Sequence, residues 1–258
     1  MADRDPIERV LGHSVDLYDV AEWDPRTTLD RIAVRIHGLI QASGHQLLIA
    51  VAALLFVAQL GLAGLILLNE PALGILALVS VVPAMAIAGY FWYGDPTRRE
   101  PLTPLAITFV LAVVFASFAL VVNSSFQLVF AFVPVVGMVL YFFLVVGPIE
   151  EVVKLLAVRS YAFERDSFDA VIDGAVYGAV AGLGFATIEN ALYITQGYLQ
   201  TLSAGGGMPL QSAFTTATGR AFVGPGHVLY SAFAGYYLGL AKFNEDNAGP
   251  IVVKGLVI

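Results

Sequence analysis

Six apolar runs, each long enough to cross a bilayer, leave a chain like this few ways to fold. Gln46–Leu68, Ala72–Tyr93 and Leu102–Val122 contain no Asp, Glu, Lys or Arg. A fourth run begins near Phe126, passes through Val146-Gly147-Pro148-Ile149-Glu150-Glu151-Val152-Val153-Lys154 and continues toward Ser160. Phe168–Ile194 is the fifth and Ser212–Phe243 holds the sixth. About 20 residues of helix span the hydrocarbon core. The reading is therefore all-α: a polytopic integral membrane helical bundle with at least six transmembrane spans. Ile251–Ile258 looks like the start of another apolar segment, which would make seven or more if the chain continues. Pro134 and Pro148 should kink or break the fourth span, and Gly224-Pro225-Gly226 should interrupt the sixth. Composition agrees: 13% of residues are charged, against about 25% in soluble domains, and the mean hydropathy is +0.80.

Residues 1–45 are mostly polar and form a separate N-terminal segment, with 46–258 as the membrane-embedded domain. Within Thr28–Ala42, Leu29, Ile32, Ala33, Ile36, Leu39 and Ile40 recur at helical spacing, with Arg31 and Arg35 opposite. That pattern predicts an amphipathic helix on the membrane surface or on the protein's own cytosolic loops. Basic residues then set the orientation. Arg4, Arg9, Arg26, Arg31 and Arg35 precede the first span. Arg98 and Arg99 follow the second, Arg159 and Arg165 the fourth, and Lys242 the sixth. Asn69–Pro71, Asn123–Ser125 and Gln196–Gln211 carry no Lys or Arg. The alternation predicts a multi-pass protein of the cell membrane with a cytosolic N-terminus. The net charge of -7 leaves no basic surface for nucleic acid, and the absence of cysteine excludes disulfides and thiolate metal sites.

Against this apolar background, three polar clusters stand out. Glu150 and Glu151 follow one of the most apolar runs, and Lys154 lies within helical reach of both. Glu189 and Asn190 sit deep in the fifth span, after Gly174, Gly178 and Gly182, whose four-residue spacing suits close helix packing. Arg220 and His227 lie in the sixth. Ionisable groups at membrane depth normally face a bundle interior or a wet cavity. Anchoring charges with Lys154 as a local partner, and a structural Glu189–Arg220 ion pair, are the plainer explanations. Zinc-binding His-Glu-x-x-His and the Gly-x-Ser-x-Gly elbow are both absent. Asp169 and Asp173 share one helix, whereas an aspartyl pair needs opposed carboxylates. A buried carboxylate holds its proton more tightly than one in water and suits a general base near neutral pH. His and Asn can stabilise an oxyanion, and Glu and His are also zinc ligands. Glu150, Glu151, Glu189 and His227 are therefore candidate ligands for zinc or another divalent metal, and the set suits hydrolysis of an amide by activated water.

Glu150-Glu151-x-x-Lys154, Phe185-x-x-x-Glu189-Asn190 and His227-x-x-x-Ser231, each on its own span, resemble the PrsW family of intramembrane proteases. That family is similar to the CAAX-protease and bacteriocin-processing superfamily. The resemblance covers roughly residues 126–243. It implies an endopeptidase that cleaves membrane-anchored proteins, such as an anti-sigma factor or another single-span protein. It also implies that Glu150 or Glu151 activates water while His227 and Asn190 polarise the carbonyl. Lys154, Phe185, Arg220 and Ser231 are the supporting residues. The prenyl-protease branch has His where Glu189 stands and typically Asn or Asp where Ser231 stands, departures that bear on both the oxyanion roles and a prenylated substrate.

Two rivals accompany this reading: a catalytically inactive scaffold of the same fold, and an ion- or proton-coupled transporter. The hydrolytic reading makes a geometric demand. A carboxylate of Glu150 or Glu151 should lie within roughly 8 Å of the His227 ring, a distance that one water or metal bridges. In straight, upright helices Glu150 and Glu189 would differ in depth by roughly 16 Å. The start of the fifth helix should therefore project into the cytosol, or the fourth and fifth spans should tilt strongly.

Overall fold

The structure, a computed structural model, describes residues 28–133, 136–205 and 207–257. Among these residues the chain is helical and contains no strand. The elements are α1 (Thr28–Asn69), α2 (Pro71–Tyr93), α3 (Leu102–Ala131), α4 (Gly137–Tyr141), a π-helical turn (Phe142–Val146), α5 (Gly147–Ser160), α6 (Val171–Ser203), α7 (Pro209–Lys242) and α8 (Ala248–Val257). Residues 1–48 and 49–258 form two compact units. The sequence from 1 to 27, including Arg4, Arg9 and Arg26, lies outside the described residues, as does Pro134. So do the side chains of Leu29, Ala33, Ile36, Leu39 and Ile40, on which the amphipathic pattern rests.

Three described helices, α2, α3 and α6, are long and apolar enough to cross a membrane. Two of the other expected spans, the fourth and the sixth, depart from that standard for local reasons. The fourth is not one helix: α4, the π-turn and α5 divide it. Pro148 stands at the start of α5, where its missing N–H coincides with the change of winding. The sixth, α7, carries Arg220, His227 and Lys242 and many Ser, Thr and Gly residues.

Two boundaries read from the sequence need correction. Asn123–Ser125 is not a loop, because α3 continues to Ala131. Residues 132–136, which follow, also lack Lys and Arg, so the charge alternation is unchanged. Gly224-Pro225-Gly226 does not interrupt α7, which runs unbroken from Pro209 to Lys242. A proline in a membrane helix is tolerated where neighbouring groups satisfy the freed backbone. Asp169 also precedes α6 rather than lying on it; only Asp173 is in the first turn, and its carboxylate accepts the backbone N–H groups of Asp169 (2.8 Å) and Ala170 (2.6 Å).

The bundle is built around the contact between α6 and α7. Gly174, Gly178 and Gly182 meet the α7 backbone at Gly235, Ser231 and His227, and a Cβ at any of them would collide with a carbonyl oxygen. Gly235 and Gly239 return the same fit from α7. The backbones thus approach as closely as they can, which is the use of small residues in membrane helices. Ala84 and Ala88 of α2 pack with Ala175, Ala179, Val228 and Ala232 to form one core. Leu73, Ile194, Tyr198, Ala213 and Ala217 form a second. Outward-facing side chains such as Leu78, Phe132, Phe143 and Phe222 are more than two-thirds exposed. In water they would promote aggregation; in lipid they cost nothing.

Candidate active site

Each polar cluster reaches the site from its own helix. The π-turn ends at Val146, and the first turn of α5 then places Glu150 inward, buried. Glu151 and Lys154 follow on the same helix. Glu189, Asn190 and Phe185 project from α6, and Arg220, His227 and Ser231 from α7. The glycine contact sets the register between the last two helices, because Gly182 abuts the carbonyl of His227 itself.

His227 is the centre of the arrangement. Its Nε2 lies 2.8 Å from Glu189 Oε2, and its Nδ1 lies 3.6 Å from Glu150 Oε2. Glu150, Glu189 and His227 each offer a ligand atom, and the three atoms lie within 4.8 Å of one another. The Lys154 ammonium stands 3.0 Å from Nδ1. An ammonium can only donate, so Nδ1 accepts, and the ring proton belongs on Nε2, where Glu189 receives it. The same ammonium is 2.7 Å from Glu151 and 3.7 Å from Glu150, so it reaches both acids. Ser231 donates to the other oxygen of Glu151 at 2.8 Å. Phe185 supports this geometry from one side: Lys154 lies 4.4 Å from its ring centre and the His227 ring 5.4 Å from it.

Arg220 closes the cluster. Its guanidinium binds Glu189, donates to Asn190 Oδ1 at 2.8 Å and stacks over Tyr193 at 4.6 Å. The Glu189–Arg220 pair, the plainer alternative for Glu189, is thus present, and Glu189 faces His227 as well. Asn190 is fully buried and uses both ends of its amide, the nitrogen donating to Ser80 Oγ at 3.0 Å. Both ends of the Asn190 amide are thus engaged, the oxygen by Arg220 and the nitrogen by Ser80.

Glu150 and Glu189 therefore converge on one imidazole despite their different positions along the chain. With 33 residues, α6 is about 50 Å long, against the roughly 30 Å of a hydrocarbon core. Three contributors escaped the sequence reading. Ser80 sits in an apolar run with no helical partner in sequence. Asn123, taken as a loop residue, approaches Glu150 Oε1 at 3.5 Å. Tyr141 fixes the Asn123 backbone through a 2.9 Å hydrogen bond.

The donor set fits a divalent metal. Carboxylate oxygen and imidazole nitrogen are both zinc donors, three protein ligands leave a coordination position open, and the spacing lets small side-chain rotations bring the three onto one ion. Glu151 stands outside that trio, held by Lys154 and Ser231. The Glu189 and His227 side chains keep 16% and 12% of their surface exposed, so the cluster is not sealed. A cavity of about 1060 Å³ elsewhere, lined by Arg159, Phe163, Asp169 and Lys242, does not include these residues.

Glu189 and Arg220 are the pair to break first. Arg220→Ala should lower stability by about 3–5 kcal/mol, because Glu189 keeps its charge without its partner and Asn190 loses its donor. Arg220→Lys should recover only part, since one ammonium cannot span both acceptors as the guanidinium does. Thermal unfolding in detergent measures both; an Arg220→Ala protein that melts like wild type contradicts this account.

Comparison with known proteins identifies relatives. A model of the PrsW family intramembrane metalloprotease matches residues 100–258. Protease PrsW of Geobacillus kaustophilus is 34% identical over 165 residues, which is 63% of this chain and 65% of that protein. Protease PrsW of Shouchella clausii is 28% identical over 185 residues, 71% of this chain and 77% of that one. Protease PrsW of Bacillus subtilis is 30% identical over 170 residues, 65% and 69% respectively. The chain thus spans just under two thirds of the Geobacillus relative and somewhat more of the other two. No solved structure matches.

Proposed function

The chain belongs to the PrsW family of intramembrane metalloproteases, and on that footing we propose that it hydrolyses peptide bonds of membrane-anchored protein substrates at the Glu150/Glu189/His227 cluster. The observation that carries the proposal is one imidazole held between two carboxylates from different helices, inside an apolar bundle.

In this reading Glu150, Glu189 and His227 hold a divalent metal, zinc being the first candidate. A metal so bound supplies Lewis-acid polarisation and lowers the pKa of water. The protein's own groups do the rest. Glu151, oriented by Lys154 and Ser231, takes the proton as water oxygen attacks the carbonyl carbon. It returns the proton to the nitrogen as the C–N bond breaks. Lys154 and Arg220 balance the carboxylate charge, and Arg220 fixes the angle of Glu189. Asn190 positions Arg220, a role different from the carbonyl polarisation that the family resemblance implies. The substrate class is a single-span membrane protein, with an anti-sigma-factor-like protein as one instance.

Incubation of purified chain with a single-span substrate tests this. Cleavage should be lost after treatment with 1,10-phenanthroline and restored by added zinc or another divalent metal. Unchanged cleavage after thorough metal removal contradicts the metal role and leaves glutamate alone as the base.

We also propose six or more spans with a cytosolic N-terminus and an N-terminal segment on the cytosolic face, from the alternation of basic loops. The chain has no cysteine, so single cysteines introduced at Ser167 and Ser203 report their sides unambiguously. Impermeant reagent should label Ser167→Cys only from the cytosol and Ser203→Cys only from outside. Labelling of both from one side overturns the topology.

A further inference from the structure

A second cluster of acids lies far from the candidate active site. Asp95 and Glu100 stand in the connection between α2 and α3, and Asp173 is in the first turn of α6. Along α6, Asp173 and Glu189 are 16 residues apart, roughly 24 Å of helix. One carboxylate oxygen from each of Asp95, Glu100 and Asp173 lies within 4.8 Å of the others.

Each of these carboxylates is only half satisfied. Asp95 Oδ1 accepts from the Thr97 backbone at 2.8 Å and its hydroxyl at 2.7 Å. Glu100 Oε2 accepts from the Tyr177 hydroxyl. Asp173 Oδ2 accepts from two backbone N–H groups. The remaining oxygens, Asp95 Oδ2, Glu100 Oε1 and Asp173 Oδ1, are buried and have no hydrogen-bond partner. Glu100 is 2% exposed and Asp173 0%. Buried polar atoms are nearly always paired, so three orphans from three neighbouring carboxylates call for a common partner.

The cluster supplies no cation of its own. Among the described residues, none of the three acids forms a salt bridge with Lys or Arg. Lys242, the nearby ammonium, donates instead to the carbonyls of Phe163 (2.6 Å) and Phe168 (2.7 Å). Desolvation pushes the Glu100 carboxyl up to about 7, the direction expected of a buried acid short of positive charge.

We propose that Asp95, Glu100 and Asp173 bind a hard divalent cation, calcium or magnesium, at a site separate from the hydrolytic cluster. All three donors are carboxylate oxygens with no imidazole among them, which favours these ions over zinc. Oxygens up to 4.8 Å apart are what opposite ligands of an ion with bonds of about 2.4 Å present, and a calcium ion has that reach. The ion clamps the α2–α3 connection to the start of α6, the helix that carries Glu189. Trp92, which donates to the Glu100 carbonyl at 2.9 Å, and the stack of Phe168 on Tyr177 hold the surroundings in place.

The test uses the full chain in detergent, stripped with chelator and titrated with calcium chloride or magnesium chloride while thermal unfolding is followed. Wild type and His227→Ala should both gain melting temperature as cation is added. Asp95→Asn and Glu100→Gln should need at least tenfold more cation for the same gain. Asp95 lies outside the helices, so its variant keeps the bundle even if Glu100→Gln perturbs it. The relative response to the two salts identifies which ion the site takes. Three results overturn the proposal: no cation-dependent gain in wild type, an undiminished gain in Asp95→Asn, or loss of the gain in His227→Ala alone. The first means that the carboxylates share protons, and the last means that the ion sits at the hydrolytic cluster.

Discussion

Glu150→Gln is expected to lower cleavage of a membrane-anchored substrate by roughly 10²-fold or more, because it removes a metal ligand outright and even the partners of metal ligands are worth about 10–100-fold in metal affinity or activity. Gln preserves the length and the hydrogen-bonding shape of the side chain, so the interface with Asn123 and Lys154 remains filled. What disappears is the negative charge beside His227 Nδ1. Metal affinity should fall together with turnover, because Glu150 belongs to the trio whose ligand atoms lie within 4.8 Å. Glu151→Gln should behave differently. Its carboxylate is engaged by Lys154 and Ser231 outside that trio, so turnover should fall by a similar factor while bound metal is retained. Metal content by elemental analysis, measured beside turnover, separates the two. Equal metal loss in both variants contradicts the division of roles, and wild-type turnover in both contradicts the site.

The second large effect concerns architecture. Gly178→Leu should prevent the native contact between α6 and α7, since even a Cβ there meets the Ser231 carbonyl and backbone cannot yield as a flexible side chain does. Overpacking typically costs about 1–3 kcal/mol where side chains can shift. Here the two backbones must separate, so the expected loss exceeds that range and the purified protein should be partly unfolded or proteolytically sensitive. Gly178→Ala is the milder version and should fold with reduced stability. Its activity should also drop, because Ser231, which holds Glu151, sits directly opposite and His227 lies one turn away. Gly219→Ala, on an open face of α7, is the control and should be neutral. A Gly178→Leu protein that melts like this control contradicts the close contact.

How much of this was legible in the sequence depended on the kind of interaction. Continuous apolar runs gave the helical class, because hydrocarbon forces each segment to satisfy its own backbone. The glycine stripe was visible as spacing on one helix. Its partner was not, because which carbonyls it meets is a long-range fact. Helix ends were read less well. Asn123 looked like a loop because polar residues usually mark one, yet it lies within α3, two turns before its end, and reaches toward Glu150. Gly224-Pro225-Gly226 looked like a break because proline removes a hydrogen bond, yet α7 continues through it. Glu150, Glu189 and His227 were legible because ionisable groups are costly in a membrane. Ser80 was not: a lone serine among aliphatic residues gives no warning that it anchors Asn190. The acids at 95, 100 and 173 fell in a connection and a helix start, where charges are ordinary. Only their burial and missing partners set them apart.

The central claim is that Glu150 and His227 act within one hydrolytic site. It is tested most directly by cleavage rates of the reconstituted chain on a single-span substrate, in Glu150→Gln, His227→Ala and the double variant. Residues that act as a unit are strongly non-additive. The account predicts that each single variant loses nearly all turnover and that the double variant is no worse than the weaker single. Losses that multiply in the double variant, or wild-type turnover in either single, would contradict it.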